Sequence, residues 1–152
     1  MTSFPDVVLG LPEHAERLDL PFGTFFVRLA GERTGGAMSA VQTILEPGAI
    51  GAAPHVHHGH EEYFLITAGA VSFELADRTQ TVGEGGAVAV PRGQAHGFRN
   101  EGDVPAELIM LFMPGGYENY FRDVARAAED GQAVTPGLLT QLRSRYQTTP
   151  WP

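Results

Sequence analysis

The chain has 152 residues, 43% hydrophobic and 18% charged, with a formal net charge of −8 at pH 7. That length suits one ordinary domain with a real core, and that charge disfavours nucleic acid and anionic membrane surfaces as partners. Cysteine is absent and all ten basic residues are arginine, which excludes disulfides, thiolate ligands, a cysteine nucleophile and lysine Schiff-base chemistry.

The opening stretch MTSFPDVVLG has neither a basic cluster nor a long apolar run, so a secretory signal is not expected and the cytoplasm is. No apolar run is long enough to cross a bilayer. Short strands are then predicted at 24–30, 38–45, 61–68, 70–76, 86–91 and 107–113, all rich in β-branched and aromatic residues. Turn signals such as GERTGG, EPGAIG and GEGG separate them. Strands of this length and spacing imply an all-β antiparallel sandwich or barrel. Near residue 116 the pattern changes. YENYFRDVARAAEDG places Tyr117, Phe121, Val124 and Ala128 at helical spacing, and PGLLTQLRSRY (136–146) does the same with Leu138, Leu139, Leu142 and Tyr146. Both helices are expected on the outside of the barrel or across one of its ends. The tail QTTPWP is too rich in proline to extend the second. The reading is a single domain over 1–152, with a barrel core at about 24–113 and a helical segment at about 117–146.

The stretch PHVHHGHEEY, residues 54–63, holds four of the six histidines. An exposed polar loop would be one explanation and a metal site another. In an extended PHVH segment, His55 and His57 point to the same side. Neutral imidazole is the commonest protein ligand for a metal ion, so the pair makes half a site. Glu62 opens the next strand and shares a face with Phe64 and Ile66, which would set a carboxylate beside an apolar lining. His96 follows the Pro91–Gly93 turn and is the fourth candidate ligand. His58 points away from that face and His60 lies in the turn. Both are expected as exposed turn residues or as donors that orient the ligands. Substitute ligation by His60, or by Glu61 in place of Glu62, is the minority alternative. His14 is expected on the surface.

The spacing His55-x-His57-x4-Glu62-x6-Gly69 resembles the first motif of the cupin superfamily. Gly85-x5-Pro91-x-Gly93-x2-His96-x3-Asn100 resembles its second motif at every position. One departure is Ala49, which stands where the first motif begins with glycine, with Gly48 and Gly51 alongside. Beyond these motifs, nearly the whole chain resembles small bacterial cupins of the quercetin 2,3-dioxygenase-like kind. The resemblance implies a double-stranded β-helix (jelly-roll) barrel, one divalent transition metal ion (Fe, Mn, Ni, Co or Zn) on His55, His57, Glu62 and His96, and a homodimer.

For function the resemblance implies a dioxygenase acting on a small aromatic or enolisable molecule, with Glu62 taking the substrate proton. Phe64 and Phe98, beside the ligands in sequence, are the candidates for the substrate pocket. The same ion acting as a Lewis acid would also suit a non-oxidative isomerase or polyketide cyclase. A non-catalytic small-molecule-binding protein is the reading from a different class. The Phe-rich strand 24–30 is expected to pair across the subunit boundary.

Overall fold

Eleven strands and two α-helices make up the computed structural model among its described residues, 4 and 6–152. The leader-free reading of the first ten residues falls partly outside them. The strands run β1 (Glu16–Leu20), β2 (Gly23–Leu29), β3 (Ser39–Leu45), β4 (Ile50–His57), β5 (Glu61–Ala68) and β6 (Ala70–Leu75). Next come β7 (Thr79–Gly83), β8 (Ala87–Val90), β9 (Ala95–Arg99) and β10 (Ala106–Met113). The chain ends with α1 (Glu118–Glu129), α2 (Pro136–Ser144) and β11 (Thr148–Pro150).

Two antiparallel sheets form a jelly roll. One has the order β1-β2-β3-β10-β5-β8 and the other β11-β4-β9-β6-β7. Alternation along the strands sends one set of side chains into the space between the sheets. In β10 that set is Ala106, Leu108, Met110 and Phe112, and in β5 it is Glu62, Phe64 and Ile66. Burying an aromatic or aliphatic side chain of this size contributes roughly 1.5–3 kcal/mol, so this apolar layer dominates the stability. Two turn glycines of the predicted motifs have a physical reason. Gly69 has φ +70° and a Cβ there would lie 2.6 Å from the Pro105 carbonyl oxygen, while Gly93 has φ +82°.

All six predicted strands are present, but the barrel is larger than 24–113. β1 and β11 join it from outside that range and β4, β7 and β9 from within it, and α1 and α2 lie where helical spacing puts them. The added β1 corrects one expectation. β2 is paired on both sides, with β1 and with β3, so the Phe-rich strand is internal and the edges of that sheet are β1 and β8.

The helices close one side of the barrel. Phe121 stacks on Phe25 with ring centroids 4.7 Å apart, and Tyr120, Val124 and Ala125 complete the buried face of α1. α1 is held at its start by Glu118, fully buried, which accepts hydrogen bonds from the backbone N–H of Gly31 (2.6 Å) and Gly116 (2.9 Å). Both carboxylate oxygens thus have partners, which a buried carboxylate requires. That anchor fixes the preceding residue, Tyr117, over the histidine-rich end of the barrel. α2 starts on Thr135, whose hydroxyl oxygen accepts from the Leu138 N–H, with Pro136 in the first turn. None of the helices among the described residues is long and apolar enough to cross a membrane.

Candidate metal centre

His55 and His96 stand directly opposite each other on the neighbouring strands β4 and β9. The register between these strands slips between Ala52 and His55, where β4 bulges around Pro54. The bulge presses on Gly97, where a Cβ would come within 2.8 Å of the Pro54 nitrogen and 2.9 Å of the Ala52 carbonyl oxygen. Only glycine leaves room for it, and bulges of this kind re-aim side chains beside functional sites. His57 lies two residues beyond His55, and Glu62 comes across from β5 in the other sheet. All four side chains are buried, and one ligand atom from each lies within 4.8 Å of all the others.

The protons show what this cluster is built to hold. His55 donates through Nδ1 to the Ala53 carbonyl at 2.7 Å, and His96 through Nδ1 to the Gln94 carbonyl at 3.3 Å. His57 Nδ1 lies 2.7 Å from the hydroxyl of Thr148, which gives its own proton to the Tyr146 carbonyl. That hydroxyl therefore accepts from His57. With all three Nδ1 atoms donating, all three Nε2 atoms present lone pairs. They meet one another and a carboxylate. His55 Nε2 is 3.0 Å from His57 Nε2, and Glu62 Oε2 is 3.0 Å from His57 Nε2 and 2.8 Å from His96 Nε2. Four acceptors at such distances with no proton among them repel. A cation at their centre would turn that repulsion into attraction, and three imidazoles with one carboxylate suit a divalent transition ion.

The electrostatics agree with this assignment. Burial, with the neighbouring His96 and His57 rings, holds His55 well below the ordinary imidazole value. Burial likewise lowers His57 against the opposing pull of Glu62. Burial works against ionisation of Glu62 too, and a donated proton or positive charge on the His57 and His96 side holds its carboxyl well below the usual range, a place a bound cation would take when the rings are neutral. Neutral rings and an ionised carboxylate are the protonation states a metal ion needs.

The remaining histidines separate. His58 is exposed and bonds Thr149 Oγ1 at 2.9 Å, and His14 is exposed, as expected. Glu61 points out to Arg92. His60 departs from the expectation of an exposed turn residue. It is buried, with its ring 4.2 Å from that of His57 and 4.8 Å from that of Tyr117, and its Nε2 has no partner. Burial foremost pushes it down to about 3. The reason is α1, which brings Tyr117 down onto the turn. Phe64 and Phe98 are buried, with rings 5.2 Å apart, and Phe64 lies 6.0 Å from the ring of His96. A cavity of about 320 Å³ is lined by His60, Tyr117, Asn119 and Arg145, and the rings of His60 and Tyr117 stand between it and His57. Sequence reasoning missed Tyr117, whose helical spacing showed only that it would be buried. It also missed Thr148, for which the tail carried no signal.

Residues 41–112 match the family described as the cupin domain, a span that encloses both motifs and all four cluster residues. Over these residues the chain carries a cupin domain. Protein SchB of Streptomyces halstedii is 34% identical over 83 residues, 53% of this chain and 59% of SchB. The match thus spans less than two thirds of that relative. Among solved structures, KdgF from Halomonas sp. has a TM-score of 0.63 at 22% identity, covering 74% of this chain and 99% of KdgF. The polyketide cyclase RemF from Streptomyces resistomycificus has a TM-score of 0.60 at 18% identity, covering 71% and 80%. Likeness at these identities speaks to the fold, and one fold hosts many reactions.

Proposed function

We propose that this chain is a metal-dependent enzyme, a dioxygenase acting on a small aromatic or enolisable molecule, with His55, His57, Glu62 and His96 as the ligands. The observation that carries this reading is the convergence of four buried acceptor atoms on one point. A bound divalent ion would supply Lewis acidity towards an enol or phenol oxygen and open positions for substrate and dioxygen. The rest falls to the chain. Glu62, held ionised, is a weak base, suited to a hydroxyl that is already acidified. The buried Phe64, Met110 and Phe112 keep water from the reacting face, and Phe98 backs Phe64. The substrate would approach through the cavity at His60 and Tyr117.

The RemF fold supports a second reading, in which the same centre performs cyclisation or isomerisation without dioxygen. An oxygen electrode separates the two. With metal-loaded protein, flavonols and β-diketones are expected to be consumed with one dioxygen each. Turnover without oxygen uptake would establish the second reading in its place, and ligand binding without turnover would leave a binding protein. The proposal extends to a cytoplasmic homodimer whose partner is a small molecule. The free β1 edge supports association. Sedimentation at micromolar concentration is expected to return twice the chain mass, and a monomer alone would refute the dimer.

A further inference from the structure

A second cavity, lined by none of the four cluster residues, lies between α2, β4 and the tail. It measures about 390 Å³ and is walled by Phe22, Ile50, Pro54, Leu139 and Trp151, with Arg143 among its lining residues. The volume fits a small organic molecule and the walls are mostly apolar. None of His55, His57, Glu62 or His96 lines it.

Arg143 gives the cavity its polarity. Seven of the chain's other nine arginines pair with a carboxylate. The remaining two are satisfied by uncharged acceptors, Arg28 by the Gln42 side chain and Arg33 by the Leu9 carbonyl. Arg143 has no carboxylate partner among the described residues, and its buried Nε has no hydrogen-bond partner at all. Its guanidinium carbon lies 5.2 Å from the Tyr120 ring centroid, and the Tyr120 hydroxyl is also buried without a partner. The guanidinium is held in place against Tyr120 while its Nε–H stays without an acceptor, as in a preformed anion site. A buried donor without an acceptor is costly, so a chain carrying −8 overall that leaves this Nε–H without one among the described residues is arranged for an anion from outside.

We propose that this cavity binds a small organic acid with an apolar, ring-sized body, its carboxylate on Arg143 and its body between Leu139 and Trp151. The site requires no metal ion, so it stands or falls separately from the enzymatic reading.

Trp151 is the only tryptophan, so its indole N–H resonance reports occupancy without any substitution. In chelator-treated protein, 1-naphthoate is expected to shift that resonance saturably, while 1-naphthalenemethanol at equal concentration leaves it nearly unmoved. R143Q should weaken naphthoate binding at least about tenfold, and R143K should retain most of it, as expected for loss of one charge-assisted contact. Equal shifts from acid and alcohol, wild-type affinity in R143Q, a shift that needs added metal, or no shift at millimolar naphthoate would each overturn the proposal. If R143Q does not fold, the contrast between acid and alcohol on the wild-type protein decides alone.

Discussion

The two sheets contribute unequally to the cluster. The five-stranded sheet supplies three histidines, each tied through Nδ1 to its own surroundings, at the Ala53 carbonyl, the Gln94 carbonyl and the Thr148 hydroxyl. The six-stranded sheet supplies only Glu62, whose nearest polar neighbours among the described residues are the Nε2 atoms of His57 and His96. One wall is thus preset by its backbone, whereas the other side is held by what it faces. Removing a histidine should damage the frame, and altering the carboxylate should change the chemistry while sparing the frame.

The largest effect is expected from His96→Ala, which removes the ligand facing both His55 and Glu62. Loss of even an orienting partner typically costs 10–100-fold in metal affinity. Loss of a ligand should therefore cost at least about 10²-fold, read by competition with a chelating dye. Glu62→Gln sharpens the other half of the comparison. Its amide oxygen still reaches the centre but is a poor proton acceptor, so turnover should fall at least about 10²-fold at full metal content. Near-wild-type rates in a sample assayed for metal would leave Glu62 a ligand only.

Thr148→Val tests whether the preset wall depends on its anchors. It should weaken metal binding about tenfold or more with little change in fold, measured by the same dye. Acid should then act on the metal-free protein through the buried rings. His55, His57 and His60 are all lowered by burial, so below about pH 6.5 the unfolded chain binds more protons than the folded one. Stability is present above that pH and declines as pH falls towards the folded values. Each group contributes up to about 1.4 kcal/mol per pH unit. His60→Gln should flatten that slope in urea titrations between pH 6.5 and 4.5 with chelator present. An unchanged slope would mean that His60 is not held neutral. The smallest effect belongs to His58→Ala, since His58 is exposed and turned to Thr149. Metal affinity should stay within about twofold, as for other surface changes.

The strands, the helices and the cluster were legible because they rest on short-range periodicity and on two spaced motifs. β5 shows this well, since alternation alone puts Glu62 with Phe64 and Ile66 on the buried face. What the sequence hid depends on long-range packing. ERLDL reads as charged surface, yet β1 exists because β2 offers it an edge. TTP looks like a disordered tail, yet it pairs with β4 from Thr148 opposite His57 to Pro150 opposite His55. The burial of His60 required knowing where α1 lands, and that is set by Glu118 reaching the backbone of Gly31, 87 residues earlier.

The anchoring of His57 by Thr148 has a consequence for the order in which the protein is made. The two residues are 91 positions apart, so His55, His57, Glu62 and His96 have all left the ribosome well before the hydroxyl that fixes the His57 tautomer. Until that strand docks, either ring nitrogen of His57 can carry the proton, and the nascent centre lacks its final shape. An ion captured during synthesis would meet a looser site than the finished one. A divalent ion bound at this cluster would therefore meet its final geometry only once β11 has docked on β4.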